Sequence, residues 1–295
     1  MIRKDRKPED SVVSVVIPAY NEEKAIGEDI DSIRQAMDGA GYDYEILVVD
    51  DGSVDRTADI ARDKGARVVR HLENRGSGAS RKTGMKEAKG NVIVMTDADG
   101  SYPNHEIPNL LKFIPEYDQV IGARREEKGT YKFFRFFAKL LIRKIAEFLS
   151  GKEIPDLNSG LRVFKKDIVQ DYFYLIPDGF SCVSSMTLIF LTNGHRVKFV
   201  PIDYQKRIGE SKFHPIKDTY NYLLTVIRII TYFNPLKMFL SVALFLFSMG
   251  IIKSVYDLFF GGTLQESDII LVLSAIIVGA IGMLADLIVT HGRRK

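Results

Sequence analysis

YEILVVDDGS, residues 44–53, runs from an apolar, β-branched stretch straight into two carboxylates and a glycine. A short run of this kind, closed by turn residues, reads as a buried strand with polar side chains at its carboxyl end. Two comparable blocks flank it. SVVSVVIPAY (11–20) comes before and stops near Pro18, and NVIVMTDADG (91–100) comes after. Helical spacing fills the gaps: 22–37 carries Ile26, Ile30, Ile33 and Met37 on one face, 55–64 ends at Gly65, and 80–89 ends at Gly90. ARVVRHL (66–72) is a third strand, 106–113 a further helix and QVIGAR (119–124) a further strand. Strand, helix and strand in alternation with short loops predict an α/β domain with a mostly parallel sheet. Binding chemistry then collects at the carboxyl ends of the strands, where both acidic clusters stand.

The chain has 295 residues and a formal charge of +3. Roughly 200 residues suffice for one such domain, so further elements are expected. The single cysteine, Cys182, excludes an internal disulfide, and the five histidines show no metal-ligand spacing. Residues 1–10 are too charged to begin a signal peptide and read as a basic arm. The segment 131–149 interleaves aromatic and aliphatic residues with Lys132, Arg135, Lys139, Arg143 and Lys144. A basic amphipathic helix of that kind lies either in a membrane interface or against the sheet with its basic face solvated.

Downstream, 238–252 and 269–285 hold no charge over 15 and 17 residues. With their flanks, 238–260 and 269–290 reach the roughly 20 residues that cross a bilayer. The alternative is a buried helical hairpin, but the apolar residues run all round both segments, which favours lipid. Six Lys and Arg lie in 206–237 and three in the tail 291–295, against none in the loop 261–268. The positive-inside rule then predicts both ends, and the large domain, on the cytosolic face of the cell membrane. The expected organisation is an arm (1–10), an α/β domain (11–212) that includes the interfacial helix, a juxtamembrane helix (213–237), the hairpin (238–290) and a basic tail.

Asp97 and Asp99 are alternate residues at a strand end, and they share a direction if the strand stops or bends there, as Gly100 permits. Two such carboxylates beside a diphosphate offer the oxygen donors that Mg²⁺ or Mn²⁺ prefers. Asp50 and Asp51 point apart, so one can meet a base or ribose while the other caps the next helix; the alternative is that both fill a turn before Gly52. The loop HLENRGSGASRKTG (71–84) combines close glycines with Arg75, Arg81 and Lys82, a pattern suited to phosphate. A dinucleotide fingerprint needs a third glycine where Arg81 stands, and no Walker lysine is present, which argues against a dehydrogenase or P-loop ATPase. GARR, FFRFF, PDLNSGLRVF and QKRIGESKF add Arg124, Arg135, Arg162, Arg207 and Lys212. Nothing in the chain calls for nucleic acid.

Taken together, VVIPAYNEE, VVDDGSVDRT, NRGSGAS, TDADGSYP, GAR, DLNSGLRVF and RIGESK resemble, in order and spacing, a family 2 glycosyltransferase of the GT-A fold over 11–212. SGLRVF, the RxGxSK element and the terminal hairpin narrow the resemblance to the polyprenyl-phosphate transferases, the dolichol-phosphate-mannose synthase and GtrB-like group. The resemblance implies that Pro18, Ala19, Tyr20, Glu22 and Asp50 surround the base and ribose, with Gly76, Lys82, Asp97 and Ala98 completing the nucleotide-sugar site. It implies Asp97, Asp99 and Ser101 at a Mg²⁺ or Mn²⁺ ion, although many relatives carry Gln where this chain has Ser101. Arg124 would face a diphosphate or acceptor phosphate, Arg135 the lipid phosphate, and Arg207 with Lys212 would close over the donor. Asp156 is left as an orienting residue. After Gly179 and Phe180, where many relatives carry acids, this chain reads SCVSSM. A hydroxyl acceptor needs a base there, whereas a lipid phosphate, already anionic, needs none. The implied activity is inverting transfer of a hexose from a nucleotide-diphosphate sugar, GDP-mannose or UDP-glucose, to a polyprenyl phosphate. The alternatives are a hydroxyl acceptor on a glycolipid or polysaccharide, and a catalytically silent nucleotide-sugar-binding membrane protein. A homo-oligomer is compatible with either.

Overall fold

The computed structural model describes residues 12–125, 143–148, 150–179, 181–208, 220, 224, 227–229, 231–232 and 234–292. Seven strands form one sheet: β1 (Val13–Ala19), β2 (Tyr44–Asp50), β3 (Arg67–Arg70), β4 (Val92–Met95), β5 (Gln119–Arg124), β6 (Arg162–Lys165) and β7 (Val197–Ile202). Their order is β3-β2-β1-β4-β6-β5-β7. β1 pairs in parallel with both β2 and β4, and β2 with β3, which is the expected half of the sheet. β6 enters antiparallel between β4 and β5, and β7 closes the far edge parallel to β5. Neither β6 nor β7 is evident from periodicity. RVFK is four residues long and opens on an arginine, while β7 holds Pro201 near its end, as an edge strand can.

The central strands are buried on both faces because helices cover both, whereas the edge strands β3 and β7 are half-buried. Val15, Ile17, Ile46, Val48 and Val94 point into one core with Ile26, Ile30, Ile33 and Met37 of α1 (Ile26–Gly39). Val16, Leu47, Val49, Ile93 and Met95 point into the other, with Met85 of α3 (Ser77–Glu87, after α2, Thr57–Asp63). No side chain caps the start of α1. Its four fully buried apolar residues hold it instead, each worth roughly 1.5–3 kcal/mol. A short 3₁₀ turn leads into α4 (Ile107–Leu111), and α5 (Lys166–Gln170) follows β6. The uncharged inner helix α6 (Cys182–Thr192) buries ten of its eleven residues, and its apolar members join the second core. SCVSSM is therefore buried, and it holds no carboxylate.

Two long helices, α7 (Pro235–Gly261) and α8 (Glu266–Gly292), pack against each other as a hairpin. Their outer faces are apolar and uncovered by the rest of the chain: Phe245, Ile252 and Leu287 are 65%, 70% and 67% exposed. A hairpin buried in the chain's own core is thereby excluded, and both helices are long and apolar enough to span a bilayer. Near the closed end Lys253 bridges to Asp257 on its own helix and to Asp268 of α8, at 2.8 Å from the latter. Arg135, Lys212, the arm, most of 131–149 and most of 213–237 lie outside the described residues.

Candidate active site

Register sets the floor of the site. Ala19 pairs with Asp50, and Val16 with Met95, so the loops after β1, β2 and β4 emerge side by side at the carboxyl edge of the sheet. The first loop is laced to the second. Asn21 N donates to Ser53 Oγ at 2.9 Å, Val54 N to Asn21 Oδ1 at 2.9 Å, and Glu22 N to Thr57 Oγ1 at 2.8 Å. Asn21 adopts a positive φ of 54°, the lone non-glycine to do so among the described residues, between Tyr20 and Glu22 and just beyond Pro18 and Ala19 at the end of β1.

Asp50 closes β2 and Asp51 follows it, and neither caps α2 as one expectation had it. Asp50 is fully buried; it accepts from Ser53 N at 3.1 Å and pairs with Arg70 Nε at 3.0 Å. Asp51 organises the glycine-rich loop: its oxygens meet His71 Nδ1 at 2.6 Å, Arg75 N at 3.0 Å and Gly76 N at 2.8 Å. His71 Nε2 in turn lies 2.9 Å from Thr83 Oγ1. The glycines serve a chain crossing. A Cβ on Gly78 would stand 2.4 Å from the carbonyl carbon of Asp178. That same residue accepts from Ala79 N at 3.0 Å through its backbone and from Lys82 Nζ at 2.8 Å through its side chain. Thus the segment 178–179 lies over the start of α3, and Gly76 N and Ala79 N are both spent on protein acceptors. Arg81, also on α3, turns inward to Asp97.

β4 ends at Met95, so 97–99 form a turn in which the carboxylates are free of the strand's alternation. Asp97 is partly open, with its side chain 24% exposed, and Ala98 between the two acids is buried. Asp99 is nearly enclosed. Its Oδ1 accepts from Ser101 N at 3.1 Å and from the Ser101 hydroxyl, and its Oδ2 lies 3.3 Å from Arg207 Nη2. Burial, then the charge of Asp97, push Asp99 above the ordinary carboxylate range, although Ser101 and Arg207 oppose them. A third acid, Asp29 of α1, lies behind the turn and is pushed up to about 7, chiefly by burial.

The opposite wall comes from β5, β6 and the segment after β7. Arg124 grips Asp156 with Nε at 2.7 Å and Nη2 at 2.9 Å, and stacks over the Tyr204 ring. Gly160 abuts Asp97: a Cβ there would come within 2.7 Å of Asp97 Oδ2. Arg162, fully buried, holds that turn by donating to Ser159 O, and reaches Val183 O at 2.7 Å and Thr187 Oγ1 at 3.2 Å. Burial pushes it down to about 10. Residues 203–208 strap the acidic turn, with Gln205 N donating to Ser101 O at 3.0 Å and Ile208 N to Asp99 O at 2.9 Å.

Asp97, Asp99 and Ser101 make a set of hard oxygen donors, and the described residues contain no group of three or more His, Cys, Asp or Glu suited to a metal. Such an incomplete set fits Mg²⁺ or Mn²⁺, which retains positions for diphosphate oxygens and water, and does not fit a closed structural site.

Compared with known families, residues 14–173 match glycosyl transferase family 2 and residues 234–290 the GtrB C-terminal hairpin. A dolichyl-phosphate hexose transferase from Haloferax volcanii is 32% identical over 205 residues, spanning 69% of this chain and 87% of that protein. An undecaprenyl-phosphate 4-deoxy-4-formamido-L-arabinose transferase from Edwardsiella ictaluri is 33% identical over 215 residues, 70% of this chain and 64% of that protein. Among solved structures, glucosyl-3-phosphoglycerate synthase from Mycobacterium tuberculosis, in complex with Mn²⁺, UDP-glucose and phosphoglyceric acid, superposes with a TM-score of 0.58 at 20% identity. That match covers 75% of this chain and 80% of the other and is a likeness of fold, the GT-A arrangement of a mostly parallel sheet flanked by helices.

Proposed function

Because the chain belongs to glycosyl transferase family 2, we propose that it is a membrane-bound inverting hexosyltransferase whose acceptor is a polyprenyl phosphate. The observation that carries the reading is a pair of carboxylates at the carboxyl edge of a GT-A sheet, on a chain that ends in an apolar hairpin. Relatives named for dolichyl and undecaprenyl phosphate support the acceptor class. The excess of Lys and Arg on both flanks of the hairpin supports a cytosolic catalytic domain.

On this reading the base and ribose of a nucleotide-diphosphate sugar lie along Pro18, Ala19, Tyr20, Glu22 and Asp50, with Gly76 and Lys82 at the neighbouring rim and Asp97 and Ala98 below the diphosphate. Asp97, Asp99 and Ser101 would hold Mg²⁺ or Mn²⁺, which when bound supplies Lewis-acid stabilisation of the departing diphosphate. The acceptor phosphate oxygen attacks the anomeric carbon as the bond to the diphosphate oxygen breaks, inverting the centre. The nucleophile is already an anion, so no base is required, consistent with SCVSSM in the core. Arg207, within reach of Asp99, and Lys212 draw two anionic substrates together, and Arg135 meets the lipid phosphate; their contribution is positioning. Asp156 orients Arg124, whose guanidinium it clasps, at the phosphate end.

Detergent-purified protein, polyprenyl phosphate, Mn²⁺ or Mg²⁺ and separately labelled GDP-mannose, UDP-glucose and related donors test this directly. Label entering the organic phase from one donor, and lost with EDTA, is expected. Label appearing only on a hydroxyl acceptor, or nucleotide binding with no transfer at all, would overturn it.

A further inference from the structure

Asp29 occupies a position on α1 where helical spacing calls for an apolar residue, three places after Ile26 and four before Ile33, and it is 5% exposed. Burying a carboxylate there is costly, the more so beside Asp97 and Asp99. Both of its oxygens are occupied. Oδ2 accepts from Gly100 N at 3.0 Å, and Oδ1 from Asn104 Nδ2 at 2.8 Å. Asn104 Oδ1 accepts from Thr96 Oγ1 at 2.8 Å. Thr96 and Asn104 are themselves buried. One carboxylate from a distant helix therefore grips the acidic turn at its apex and, through Asn104, at both roots. Gly100, at φ +69°, is the residue whose backbone sets the bend, and its N–H is the one that Asp29 holds. The position needs two acceptors; an amide offers one acceptor and places a donor against a donor.

We propose that Asp29, with Asn104 and Thr96, is a positioning residue for divalent-cation binding: it fixes the turn that presents Asp97 and Asp99 without touching the cation. The inference rests on the reading of that turn as the metal site. Outer-shell partners of this kind typically change metal affinity by about 10–100-fold when removed.

The test is Mn²⁺ binding to the full chain in detergent, followed by loss of the free-ion EPR signal, which requires no turnover. Asp29→Asn should raise the Mn²⁺ dissociation constant about ten-fold or more, and Thr96→Val, which removes only the outer hydrogen bond, about three-fold. The double variant Asp29→Asn/Asn104→Asp exchanges amide and carboxylate, so that all three hydrogen bonds can re-form, and should return affinity to within about three-fold of wild type. Met37→Ala, a cavity on the same helix remote from the turn, should lower the melting temperature and leave the dissociation constant unmoved. Wild-type affinity in both Asp29→Asn and Thr96→Val, or no recovery in the exchanged pair, would overturn the proposal alone. Absence of Mn²⁺ binding by the wild type would overturn it together with the metal assignment.

Discussion

Asp156→Asn probes how the far wall is held. Four N–H groups converge on the Asp156 carboxylate: Arg124 Nε at 2.7 Å, Arg124 Nη2 at 2.9 Å, Arg124 N at 3.2 Å and Asn158 N at 3.0 Å. The two side chains are 9% and 11% exposed, so solvent does little to replace a lost partner. The substitution keeps the shape, converts one acceptor to a donor, and removes the negative charge that the guanidinium clasps. Breaking one side of a buried pair costs roughly 3–5 kcal/mol. In a domain of this size that corresponds to a fall of roughly 10 °C in melting temperature. Burial pushes Asp156 up, but the hydrogen bonds and charge of Arg124 outweigh it and hold the group below the ordinary carboxylate range. A depressed folded value gives stability that is present above the unfolded value, near pH 4, and lost as pH falls through the folded one. Circular-dichroism melts in detergent should therefore show a gap between wild type and variant that is constant from about pH 8 to 5 and narrows below about pH 4. A variant melting within about 2 °C of wild type at pH 7, or a gap that does not narrow in acid, would refute the claim that this pair carries the wall.

Asp99→Asn should lower transfer by about 10²-fold or more while circular dichroism stays native; near-normal transfer would remove Asp99 from the metal site. Chelation with EDTA should abolish transfer and re-addition of Mn²⁺ or Mg²⁺ restore it, whereas full activity after exhaustive chelation contradicts the metal requirement. Gly160→Ala forces a methyl onto Asp97, and a displacement approaching 1 Å at the reacting centre should reduce transfer by about 10²-fold while circular dichroism stays native. Lys253→Met strands two carboxylates at the closed end of the hairpin and should lower its thermal stability; adding Asp268→Leu should recover part of the loss, as measured by melts in the same detergent.

What the sequence discloses is what repeats. β1, β2, β4 and α1 are legible because their side chains alternate between two cores or line one helical face, and the hairpin because its apolar run is long. β6 is four residues whose partners arrive from both sides, so its pairing is decided by the sheet and not by its own pattern. The site divides similarly. Asp97 and Asp99 announce themselves as acids at a strand end, but Asp51 and Asp29 differ from their neighbours only in what they touch, and no spacing rule links Asp29 to Gly100. The close glycines at 76 and 78 look like a phosphate cradle because the same absence of Cβ admits either a ligand or a crossing backbone. His71 and Arg162, which hold the walls, have no local signature beyond their polarity.

The strap over the acidic turn also fixes a length. Ile208 is hydrogen-bonded to Asp99, and α7 begins at Pro235, so only residues 209–234 connect the reacting centre to the hairpin. At most ~3.6 Å per residue, that connection can never exceed roughly 100 Å. On the proposed reading, with the hairpin in a bilayer, encounters with the lipid acceptor take place in two dimensions. Turnover should then follow the mole fraction of acceptor in the membrane, and diluting the vesicles at constant lipid composition should leave it unchanged.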